Sequence, residues 1–85
     1  MSRASEGHRE RWLRAFGEAV RELRLEAALT QEEVSYRTKL DQTYISGIER
    51  GRRNPTLWVV WRLAEGMGTT PGRLIQVAEG RMASD

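Results

Sequence analysis

No cysteine occurs in the chain, which rules out disulfides and thiolate-bound metals and fits a reducing compartment. The single histidine, His8, has neither a cysteine nor a second histidine to share a metal with. No apolar run approaches the length of a membrane span; the longest is Leu57–Trp61. The opening residues, MSRASEGHRERW, lack the apolar core of a secretory signal, so a cytoplasmic location is expected. Catalytic constellations are missing as well: there is no His-centred site, no Ser/His/Asp set and no phosphate-cradling glycine loop. Gly66-Met67-Gly68 reads as a helix exit. An enzyme, a metal, a cofactor or a small-molecule ligand is therefore not expected.

What is present is the balance of a folded domain: 39% hydrophobic and 31% charged residues over 85 positions, enough for one small core. Net charge is only +2, but the charges are segregated. Between Arg37 and Asn54 lie Arg37, Lys39, Arg50, Arg52 and Arg53 against Asp41 and Glu49, an excess larger than that of the whole chain. Such a segment is either a solvated basic loop or the footprint of a polyanion.

The pattern predicts an all-α chain of five helices. Met1–Gly7 is polar and small and is expected to fray, as are residues 80–85, leaving a domain over residues 8–79. Arg3 could serve as a minor-groove arm, but a frayed tail is the simpler reading. Trp12, Phe16, Val20, Leu23 and Ala27 mark one face of a first helix over His8–Ala27. Ala28 and Leu29 connect it to a second helix, Gln31–Thr38. Here Thr30 with Glu33 three residues later forms a capping box: the hydroxyl accepts one orphan N–H and the carboxylate reaches back to the other. Asp41 caps a third helix, Gln42–Arg50, and Gly51 stops it. Two capped helices this close suit a helix-turn-helix. In the third helix Ile45 and Ile48 point inward, leaving Gln42, Thr43, Ser46 and Gly47 on a short, polar, uncharged edge beside Tyr44. Gln can pair bidentately with adenine and Thr can meet a thymine methyl. Gly47 inside a helix costs roughly 1 kcal/mol against Ala, to be explained either by close approach to a groove wall or by helix packing. After the helix, Arg50, Arg52 and Arg53 can meet phosphates, and Arg53 or Asn54 can reach a base edge. A fourth helix, Thr56–Met67, carries the stripe Leu57, Val60, Trp61, Ala64 and Met67, which leaves Trp58 and Val59 outside it. Thr70 caps a fifth helix with Pro71 at its first position.

Several motifs together resemble the phage-repressor-like helix-turn-helix family, also called the XRE or Cro/C1 type. They are R-E-L-R at Arg21–Arg24, L-T-Q-E-E-V at Leu29–Val34, Y-I-S-G-I-E-R-G at Tyr44–Gly51, R-N-P at Arg53–Pro55 and L-A-E-G-M-G at Leu63–Gly68. The run from Leu40 to Pro55 is especially similar to the small controller proteins of restriction-modification systems. The resemblance implies a compact five-helix lambda-repressor-like domain that binds operator DNA through the major groove as a symmetric dimer. It implies base reading by Gln42 and Thr43, with Tyr44, Ser46, Gly47, Arg53 and Asn54 around them. Phosphate contacts would come from Gln31, Arg37, Lys39, Arg50 and Arg52, and a structural ion pair from Arg24 and Glu49. Ala28 and Lys39 depart from the family pattern, which commonly has Gly at both places.

The leading expectation is thus a homodimeric, sequence-specific regulator of transcription, associated with the nucleoid, on a (pseudo)palindromic operator. For the dimer contact the candidates are Trp58, Val59, Leu74, Ile75 and Val77. The competing expectation is a helical protein-binding module, antitoxin-like, whose exposed Trp58 surface engages another chain.

Overall fold

The computed structural model describes the backbone of residues 3–84 and the side chains of residues 7–84. Five α-helices follow in order: α1 (Arg3–Glu26), α2 (Gln31–Thr38), α3 (Gln42–Glu49), α4 (Leu57–Gly66) and α5 (Pro71–Ser84). Among the described residues there is no strand. Two boundaries differ from expectation. α1 begins at Arg3 rather than His8, and α5 continues to Ser84 rather than fraying after residue 79. α5 is held along α1 near its end, where Arg81 bonds Glu18 at 2.8 Å and Glu22 at 2.6 Å. These carboxylates, Glu22 foremost, raise the guanidinium's pKa further. The side chain of Arg3, and with it the idea of a minor-groove arm, lies outside the described residues.

Local chemistry sets the helix starts. The Thr30 hydroxyl accepts from the Glu33 N–H and the Glu33 carboxylate accepts from the Thr30 N–H, each at 3.0 Å. This reciprocal pair holds the Glu33 carboxyl below its ordinary pKa, chiefly through the Thr30 backbone N–H. Asp41 accepts from the Thr43 N–H at 2.8 Å, Thr56 from the Val59 N–H at 3.2 Å, and Thr70 from the Arg73 N–H at 3.1 Å. The helix ends are equally regular. Ala28, Lys39, Gly51 and Gly68 are all left-handed, with φ of 59°, 62°, 72° and 74°. Around Ala28, Gly51 and Gly68 the next N–H reaches back five residues, from Leu29 to Arg24, Arg52 to Gly47 and Thr69 to Ala64. These are Schellman closures, which satisfy carbonyls that a helix end leaves orphaned. Ala28 and Lys39 adopt the geometry without glycine, at a cost of about 1 kcal/mol each.

The core is built from Phe16, Ala19, Val20 and Leu23 of α1, Val34 of α2, Ile45 and Ile48 of α3, Val60, Leu63 and Ala64 of α4 and Leu74 and Ala78 of α5, with Leu29 and Met67 at the turns. Gly17 allows α1 to approach the end of α3: a Cβ there would lie 2.2 Å from the Ile48 carbonyl oxygen. α2 and α4 exchange arginines across their C-terminal ends. Arg62 donates to the Thr38 carbonyl, and Arg37 to the Gly66 carbonyl at 3.2 Å.

Expectations about which residues are covered are corrected at Ala27, at Leu57 and Trp61, and at Leu74. Ala27 is exposed, because the helix has already turned off at Glu26. Leu57 is 84% exposed and Trp61 42%, because the covered face of α4 is centred on Val60, Leu63, Ala64 and Met67 and these two lie to one side of it, toward Trp58. Leu74 is fully buried, so it belongs to the core and cannot offer a dimer contact.

Candidate nucleic-acid interface

α3 is seated by a buried ion pair. Arg24 Nε lies 2.7 Å from Glu49 Oε2 and its Nη2 lies 3.0 Å from Oε1, a two-pronged contact, while Nη1 bonds the Leu29 carbonyl at 2.9 Å. The Glu49 hydrogen bond raises the Arg24 pKa still further, against the opposing effect of burial. The pair joins the end of α1 to the end of α3, and Gln31 Nε2 adds a third bond to Glu49 Oε1 at 3.1 Å. One side chain at the start of α2 is thereby tied to the same carboxylate, which fixes α2 and α3 against each other.

Above this anchor, α3 turns Ile45 and Ile48 into the core and leaves Gln42 and Thr43 exposed. Tyr44 and Ser46 are half-buried. The arginines fall on the same side. One concavity is lined by Asp41, Thr43, Tyr44, Gly47, Arg50, Arg52 and Arg53. The Arg53 guanidinium carbon sits 5.1 Å from the centre of the Tyr44 ring, within cation–π range. The Schellman bond from Arg52 N–H to Gly47 carbonyl, 2.8 Å, folds the loop back onto the helix and so places the arginines there.

Other predicted site residues stand elsewhere. Gly47 is buried, not on an open outer edge: the stem of Arg53 covers it, and a Cβ at Gly47 would lie 2.5 Å from Arg53 Cγ. It therefore offers no surface to a base. Asn54 is exposed but lines a separate small hollow against α1, with Trp12, Leu13, Phe16, Pro55, Val60 and Ile75. Arg37 is engaged with the end of α4, and Lys39 holds its ammonium 4.5 Å from the centre of the Tyr36 ring. Gln31 has its side chain on Glu49. Its backbone N–H, at the start of α2, is one of the groups a helix cannot satisfy internally.

A second exposed feature lies on α4. Trp58 and Trp61 stack with ring centres 5.2 Å apart and planes 11° apart, and Leu57 joins them in an apolar hollow. Val59, Ile75 and Val77 are partly buried against the core. The sequence pattern sets Trp58 apart from the core stripe but places Leu57 and Trp61 within it; the i, i+4 spacing of Leu57 with Trp61 and the i, i+3 spacing of Trp58 with Trp61 are the signal for one surface.

Residues 15–76 match the model of a helix-turn-helix domain. The chain belongs to the helix-turn-helix family. Over 53 residues this helix-turn-helix protein is 47% identical to an HTH-type transcriptional regulator of Sinorhizobium fredii, covering 62% of this chain and 69% of that one. The restriction-modification controller protein C.AhdI of Aeromonas hydrophila is 39% identical, with a TM-score of 0.71 over 73% of this chain and 94% of its own. The controller C.Esp1396I, solved as a tetramer in complex with its natural 35 base-pair operator, is 30% identical, with a TM-score of 0.77 over 85% of this chain and 95% of its own. No helix among the described residues is long and apolar enough to cross a membrane.

Proposed function

We propose that this helix-turn-helix protein is a sequence-specific, double-stranded DNA-binding regulator of transcription that acts as a homodimer on a (pseudo)palindromic operator, in the manner of a restriction-modification controller. The observation that carries the reading is the arrangement of α3: Thr43, next to the exposed and uncharged Gln42, lines one concavity with Arg50, Arg52 and Arg53. An uncharged edge can be pressed against bases without stranding a charge, while the flanking guanidiniums meet phosphates. Gln42, Thr43, Tyr44 and Ser46 read bases with Arg53. Arg50, Arg52 and the Gln31 N–H hold phosphates, and the Lys39 ammonium is a further contributor. Arg37 drops to a structural role. The reading needs no catalytic step and places the protein in the cytoplasm on the nucleoid. The similarity to controllers favours DNA over the antitoxin-like protein-partner module.

A single α3 covers few base pairs, so two copies are needed for a long site, with half-sites about one helical turn, ~34 Å, apart. The contact between copies is drawn from α4 and α5: Trp58 with its neighbours Leu57 and Trp61, and the half-buried Val59, Ile75 and Val77.

Selection of bound duplexes from a random pool, followed by affinity measurement across salt, tests the reading. A dyad-symmetric motif is expected. Gln42→Ala should relax one or two base pairs per half-site, by about 1–3 kcal/mol each. Arg52→Ala should weaken every sequence alike and lower the salt slope by about one. Identical motifs and slopes in both variants would overturn these roles.

A further inference from the structure

We infer that Gly47 is a positioning residue for base recognition: its missing side chain is the notch through which Arg53 crosses α3 to place a guanidinium beside Thr43 and Tyr44. The inference rests on the DNA-reading role proposed above and goes beyond it by assigning a function to a residue that touches no base.

Three observations carry it. Gly47 lies inside α3, where glycine is a poor helix former, and its φ is not left-handed, so backbone conformation does not call for it. Helix packing does not call for it either: the three heavy atoms nearest a Cβ built there all belong to Arg53, namely Cγ at 2.5 Å, Cδ at 3.5 Å and Cβ at 3.8 Å. The contact also falls near the root of the arginine. A clash at the tip of a flexible side chain is relieved by bending the tip. A clash at Cγ requires a different rotation about the first bond, and the whole guanidinium moves with it. Finally, the path over Gly47 ends on the Tyr44 ring, 5.1 Å away, in the concavity that Thr43 shares. The aromatic face restrains a planar cation that would otherwise sample solvent, and less freedom is then lost when it meets a base.

A loop arginine is thereby recruited to the recognition helix. A fork of N–H donors held at a major-groove edge selects guanine, whose O6 and N7 accept it bidentately. Each half-site should therefore contain a guanine whose recognition depends on both Arg53 and Gly47, although only Arg53 meets it.

The test takes the best duplex selected by the wild-type chain and replaces each base pair in turn. Arg53→Ala should flatten a guanine preference at one position per half-site, by about ten- to a hundredfold, the size of one bidentate contact. Gly47→Ala should flatten the same position and no other, and the double variant should be no worse than Arg53→Ala alone. The melting temperature of Gly47→Ala should stay level or rise, because alanine favours the helix; a merely structural glycine would lower it. Should that variant fail to fold, Tyr44→Leu carries the test and should weaken the same guanine preference in part. The inference is overturned if Gly47→Ala, or in its place Tyr44→Leu, keeps the wild-type base profile, or loses affinity equally for all sequences. A wild-type chain without any sequence preference would instead overturn the DNA-reading role itself, and this inference with it.

Discussion

The outward faces of α3 and α4 are both open to solvent, both lie on helices of ten residues or fewer, and both back onto the same core. Their surfaces are opposite in kind. α3 shows Gln42 and Thr43, polar groups that lose little in water and can exchange it for base edges. α4 shows Leu57 at 84%, Trp58 at 62% and Trp61 at 42% exposure. Scattered apolar residues are normal on a surface, but a stacked tryptophan pair flanked by leucine is a contiguous patch of the kind found in interfaces. The supports differ as well. α3 stands on a buried, doubly hydrogen-bonded ion pair that fixes its position relative to α1 and α2. The first turn of α4 is fixed mainly by its Thr56 cap. A groove-reading surface has to hold a set orientation, whereas an apolar patch tolerates adjustment by repacking.

The largest test of this contrast removes the support of α3. Glu49→Ala leaves the Arg24 guanidinium buried without its carboxylate, and urea unfolding should show a loss of about 3–5 kcal/mol. A loss below about 1 kcal/mol, the range of exposed pairs, would mean that α3 is held by Ile45 and Ile48 alone. Trp58→Ala should do the reverse. It should leave monomer unfolding within about 0.5 kcal/mol of wild type, as surface changes do. It should weaken self-association by about 2 kcal/mol or more, the size of an interface anchor, read by sedimentation equilibrium. Unaltered association would place the dimer contact elsewhere.

The smallest effect concerns the cap of α2, which carries Gln31. The folded-state pKa of Glu33 is depressed, so its contribution is present above the ordinary carboxyl value and is lost as pH falls through the folded value. Wild type should therefore melt above Glu33→Ala at neutral pH, and the gap should close in acid. No gap at neutral pH would assign the cap to the Thr30 hydroxyl alone, and a gap independent of pH would mean that the charge of the Glu33 carboxylate plays no part in it.

Much of the scaffold was readable because it is made of contacts a few residues apart. Thr30 and Glu33, Asp41, Thr56 and Thr70 announce their helices through hydrogen bonds reaching two or three positions along the chain. Left-handed exits follow each of the first four helices for the same local reason. The candidate site was readable in part. The Arg24–Glu49 pair entered through family resemblance, and Gln42 and Thr43 through the alternation of apolar and polar positions on α3. Nothing in the spacing of Gly47 and Arg53 shows that one lies on the other. Leu57 and Trp61 illustrate the limit of periodicity, which groups residues on one side of a helix without saying how wide a strip of it the neighbours cover.

The chain by itself determined where the helices between Glu26 and Pro71 begin and end, because capping groups and left-handed exits need only the adjacent turn; the outer ends of α1 and α5, which have no such signal, ran longer than expected. Which faces are covered was decided only in three dimensions. Leu74 went inward and the Trp58–Trp61 pair outward, Arg37 went to the end of α4, and Arg53 was laid across Gly47. Each of those outcomes depends on where a separate helix or loop comes to rest, and on the hydrophobic burial and buried charge that bring it there.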